Sequence, residues 1–168
     1  MKTKTLIFIM STLILGCSTD NVSTQQKINL NNEVDLVLKN SANEDLLNPI
    51  TNGNFSFENI KLYFDVNGEK QEVYDKNLDF PRNLRLVEGS QGNVLVIYTN
   101  SLSNKLISEL NGTKIVENIT YLELSANSTD TIKTYSQMNS GNFSITKVWY
   151  NNKLVWENDN PKLIEIIK

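Results

Sequence analysis

Two tight turns set between alternating residues constrain this chain more than any other feature. The first lies in IKLYFDV-NG-EKQEVYD, residues 60–75. Asn67 and Gly68 both tolerate positive φ, as a two-residue type I′ loop requires. Such a loop sets Val66 opposite Glu69, Phe64 opposite Gln71 and Leu62 opposite Val73. Ile60, Leu62, Phe64, Val66 and Val73 then share a dry face, with Lys61, Tyr63, Asp65, Lys70, Glu72 and Tyr74 on the wet one. The second turn is Asn151-Asn152 in FSITKVWY-NN-KLVW. Unbroken alternation there sets Trp149 opposite Leu154 and Lys147 opposite Trp156. Phe143, Ile145, Trp149, Leu154 and Trp156 gather on one face, where burial of the indole rings is strongly favourable.

The remaining chain offers more strands of the same kind. From Lys27, Ile28, Leu30, Val34, Leu36 and Leu38 keep one parity, the mark of a half-buried strand. NVLVIYTN (93–100) is apolar on both parities, as expected of a central strand. Residues 120–126 and 131–137 read as strands around a polar NSTD loop, and Leu84–Val87 as a short one. Residues 102–117 fit either two helical turns or a hairpin through Asn111-Gly112, and the strand reading is preferred. Pro49, Pro81 and Pro161 all fall between the runs, where a missing N–H costs least. The expectation is an all-β domain over residues 27–168. It is a single antiparallel β-sandwich of about eight or nine short strands.

The first 26 residues are of another kind. Lys2 and Lys4 precede an apolar run from Leu6 to Leu15, interrupted only by Ser11 and Thr12. A membrane-spanning helix needs about 20 apolar residues, so the run fits a secretory signal better. Ile14-Leu15-Gly16-Cys17 follows where an ordinary cleavage site would stand, and resembles the lipobox of bacterial lipoproteins. By that resemblance residues 1–16 are a signal peptide cut after Gly16. Cys17 carries the lipid, and residues 17–26 form a polar tether. Leu15 departs from the usual small residue. A plain secretory signal with a chance cysteine, or a short N-terminal anchor, is the competing reading. Several acyl chains hold a protein on a bilayer where one does not, each buried CH₂ contributing about 0.8 kcal/mol. Ser18 after the cysteine resembles the signal for passage to the outer membrane. Which leaflet the protein faces stays open.

Charge and composition remove whole classes of function. Loss of residues 1–16 takes away two lysines and no acid, moving the net charge from −3 to −5. No basic face for nucleic acid is expected. The sequence contains no histidine, so Ser-His-Asp and Cys-His machinery and HExxH zinc sites are excluded. No cofactor and no metal are expected. Asp65 to Glu69 is a weak match to a calcium loop and is explained by the turn. With Cys17 the sole cysteine, stability cannot rest on disulfides.

The lipobox, DLLNP (45–49), YFDVNGE (63–69), TDTIK (129–133) and KVWYNNKLVW (147–156) together resemble small lipoproteins of Bacteroidota. The resemblance implies an immunoglobulin-like sandwich and no particular activity. Asp130-Thr131-Ile132 also resembles the O-glycosylation acceptor of such bacteria, with Thr131 as the acceptor. Tyr63 and Tyr74 on the polar face are the candidate ligand contacts. The expected role is a non-enzymatic, lipid-anchored envelope protein that binds a partner protein or supports structure. The alternative is a carbohydrate-binding accessory, which requires two aromatic rings side by side on one face. A two-carboxylate hydrolase drawing on Glu44, Asp45, Asp75 and Asp79 is the third reading and requires a shared cleft.

Overall fold

A computed structural model describes residues 29–101, 105–158 and 162–168. Ile28, Pro161, the lipobox, Cys17 and the tether lie outside them. The described chain is all-β, with twelve strands and one 3-10 turn at Phe57–Asn59. In order these are β1 (Asn29–Asn31), β2 (Glu33–Lys39), β3 (Lys61–Val66), β4 (Glu69–Glu72), β5 (Leu84–Gly89) and β6 (Gly92–Tyr98). There follow β7 (Lys105–Leu110), β8 (Thr113–Ser125), β9 (Ser128–Asn139), β10 (Asn142–Tyr150), β11 (Lys153–Glu157) and β12 (Leu163–Ile167).

The strands form two sheets. The larger runs β1-β10-β9-β8-β3-β4, with β11 also on β10 and β7 also on β8. The smaller runs β12-β2-β6-β5. Their inner faces share one core, in which Leu36, Leu38, Leu95 and Ile97 of the smaller sheet meet Leu62, Leu122, Ile132 and Val148 of the larger.

The strand count exceeds the expected eight or nine because runs read as single elements divide. The strand expected from Lys27 breaks at Asn32, where the chain passes from one sheet to the other. Asn32 is buried there and donates from its side chain to the Thr99 carbonyl at 2.9 Å. Leu30 ends up 52% exposed, outside the core its parity had promised. Nor is the pairing wholly antiparallel: β1 lies parallel to β10 and β12 parallel to β2.

Residues 105–117 are strands turning at Asn111-Gly112, as preferred from sequence. NSTD is not a loop, since Ser128 to Asp130 already belong to β9 and the turn falls at Ala126-Asn127. The Asn67-Gly68 hairpin has the expected register, with Phe64 on Gln71 and Val66 on Glu69. Both its turn residues have positive φ, 56° at Asn67 and 86° at Gly68.

Candidate functional site

One residue decides what the larger sheet shows to solvent. Against β9, β10 runs in register through Ile145, opposite Ser136, and resumes at Lys147, opposite Tyr135. Thr146 is the extra residue of a β-bulge. Its hydroxyl donates to the Tyr135 carbonyl at 3.2 Å, and its carbonyl accepts from the Asn158 N–H at 2.9 Å. A one-residue slip exchanges the faces of every later side chain. Phe143 and Ile145 therefore point inward, and so do Val148 and Tyr150, while Trp149 points out.

The expected grouping of Trp149 and Leu154 with the core is thus corrected. The two are cross-strand partners, but on the solvent face, and Leu154 is 45% exposed. A second register shift, at Val155, sets Trp156 opposite Val148 rather than Lys147, which pairs with Glu157. Only Trp156 of the two indoles packs against the core.

Around Trp149 the outer face collects aromatic and cationic groups. Lys133 is its direct partner on β9, with Nζ 4.5 Å from the indole centroid. Tyr135, two residues along, lies diagonally across the ladder, its ring 4.6 Å from that of Trp149 and tilted by 58°. Diagonal neighbours on one sheet face are within reach of aromatic side chains.

A second cluster stands on β3 and β8. Tyr63 and Tyr121 are cross-strand partners, and Lys70 lies 4.1 Å above the first ring and 5.6 Å from the second. Burial pushes both phenols up from their ordinary pKa, helped by Glu123 and Glu72 beside Tyr63 and by Asp65 beside Tyr121. Both remain neutral donors at physiological pH. Each cluster is partly exposed and carries an ammonium above its rings, an arrangement that favours cation–π attraction.

The other candidates fall elsewhere. Tyr74 lies beyond the end of β4 and is 68% exposed. Thr131 is on the outer face opposite Tyr121, with its backbone N–H held by Asn151 Oδ1 at 2.8 Å. The Asp130 that precedes it faces the interior and is 4% exposed.

Among the described residues no three of these acids gather at one point. Glu44 accepts from Asn40, Asp45 from Leu47 and Asn93, and Asp75 from Asn77. Asp79 lines a cleft of about 390 Å³ with Leu30, Leu78, Phe80 and Tyr98, and none of the other three acids lines it. Asp65 caps its own turn by accepting from the Gly68 N–H at 2.9 Å.

Sequence reasoning found Tyr63 but missed Tyr121, Lys133 and Tyr135. The signal for the last two was present: Thr131, Lys133 and Tyr135 share a parity opposite Ile132. Compared with family models, curated proteins and solved structures, the chain matches none.

Proposed function

We propose that this chain is a lipid-anchored cell-envelope protein that binds carbohydrate on the outer face of its larger sheet. In this reading Cys17 carries the lipid on the outer membrane, the sheets form an immunoglobulin-like sandwich, and the protein acts by binding rather than catalysis. It stands beside the small Bacteroidota lipoproteins that its sequence resembles.

One observation carries the choice of ligand: Trp149 and Tyr135 lie side by side on a solvent-facing sheet. Sugar rings present apolar C–H faces that settle on aromatic rings, while hydroxyls find the flanking Lys133. The engagement of Glu44, Asp45 and Asp75 in loop hydrogen bonds favours binding over two-carboxylate hydrolysis.

Affinity electrophoresis through gels cast with soluble glucan, xylan or an acidic polysaccharide tests this reading. The protein should be retarded by at least one of them. Trp149→Ala should weaken that binding about tenfold, a loss of about 1.4 kcal/mol. Its melting temperature should stay close to the parent's, because the ring lies outside the core. Free migration in every gel, or a Trp149→Ala variant retarded like the parent, would refute it. Membrane fractionation of Cys17→Ala examines the anchor separately: the variant should be released, or accumulate as uncut precursor.

A further inference from the structure

Three side chains from both sheets meet at the carboxylate of Asp130. Its Oδ1 accepts from Asn151 Nδ2 at 2.7 Å. Its Oδ2 accepts from the Tyr150 phenol at 2.6 Å and from the Lys168 ammonium. Asn151 is held at its other end as well, where Oδ1 accepts the Thr131 N–H at 2.8 Å. Lys168 follows β12, its own N–H bound to the Lys39 carbonyl at 2.8 Å, so its amine reaches from the smaller sheet to the larger.

We propose that Lys168 and Asn151 become joined by an intramolecular amide bond, with Asp130 as the proton carrier. The reaction has three demands, and each has a group in place. The ammonium must lose a proton before it can attack, and Asp130 Oδ2 is hydrogen-bonded to it. The carboxamide carbonyl must be polarised, and the Thr131 N–H sits on the oxygen where negative charge develops. The leaving nitrogen must gain a proton, and it already donates to Oδ1 of the same carboxylate.

In the step, Nζ of Lys168 bonds to Cγ of Asn151, and the bond from Cγ to Nδ2 breaks. Nζ gives up two protons, one before it attacks and one after, and Asp130 passes both in turn to the departing nitrogen. One ammonium-bearing side chain and one carboxamide become one amide and one free ammonium ion, so atoms and charge balance without oxidant or cofactor.

Amines do not displace amides in water at useful rates. Holding both reactants on one buried acid–base changes this, since oriented intramolecular reactions reach effective molarities of about 10⁵–10⁸ M. Tyr150, buried at 6% exposure, closes one side of the carboxylate and helps to exclude water.

Mass spectrometry of the folded full chain decides the question. The intact mass should be lower by one ammonia than the processed sequence requires. Tryptic digestion should release residues 148–153 covalently linked to residues 163–168, with fragmentation placing the bond between Asn151 and Lys168. Lys168→Arg, which keeps the positive charge, should give neither the deficit nor the linked peptide. Unlinked forms of both peptides from folded protein would overturn the proposal. So would a deficit of one water with the bond on Asp130, or an ammonia deficit mapping to Asn67-Gly68 or Asn111-Gly112 alone.

Discussion

Asp130 shows how far one residue's surroundings can reverse its bare tendency. Burial alone pushes its carboxyl up, but the hydrogen bonds from Lys168, Tyr150 and Asn151 outweigh burial and hold it below the usual carboxylate range. A depressed folded value means stability that is present above the unfolded pKa of about 3.9 and lost as pH falls through the folded one. Tyr150→Phe removes one of those donors, and hydrogen bonds to charged groups contribute about 1.5–3 kcal/mol. The variant should lose stability of that order at neutral pH, and its acid-unfolding midpoint, followed by circular dichroism, should move to higher pH. An unchanged midpoint would mean that the phenol contributes nothing to holding the charge. The same network explains why Asp130-Thr131 reads differently in chain and fold. A transferase meeting the folded protein finds the Thr131 hydroxyl on the surface but not the acid before it.

At the level of strands, the turns were legible and the bulges were not. Asn67-Gly68 and Asn151-Asn152 declare themselves because positive φ restricts which residues fit, and all four have it. Thr146 leaves no such mark. Its extra position is decided by hydrogen bonds to Tyr135 and Asn158, residues distant in sequence, so simple alternation carried Trp149 to the wrong face. The inner face of β8 and β9 was hard to read for a related reason. Asn118, Thr120, Thr134 and Ser136 are buried there among apolar neighbours, which blurs the contrast between parities. The switch at Asn32 was likewise unreadable, since its partner Thr99 lies far along the chain. Deletion of Thr146 tests this account. With the extra residue gone, Lys147 follows Ile145 directly, and strict alternation by itself keeps Lys147 and Trp149 outward and Val148 and Tyr150 inward. The urea midpoint should fall only by the loss of the two Thr146 hydrogen bonds, about 1–3 kcal/mol, and acrylamide should quench Trp149 in a Trp156→Phe background as it does with Thr146 present. A Trp149 shielded from quencher in the deletion variant would show that the bulge does not set the face.

The two sheets as wholes are closed by strands from opposite regions of the sequence. Asn29 pairs with Asn142 across the larger sheet, and Asp35 with Leu163 across the smaller. Neither sheet is complete until distant segments have met, and the entropy of closing such long loops slows folding. Refolding by stopped-flow fluorescence should therefore fall in the range of about milliseconds to seconds, with a microsecond phase for the whole amplitude arguing against this topology. The parallel pairing of β1 with β10 also sets a direction. Asn29 sits at the Asn142 end of the larger sheet, beside the β9–β10 turn, while Tyr150, Asn151 and Thr131 lie at the other end. If a leash runs from Asn29 to a bilayer, the molecule stands like a paddle gripped by its lower rim. Trp149 and the Lys168 junction are then carried toward whatever passes above, and the apolar cleft beside Leu30 and Tyr98 looks back at the surface beneath.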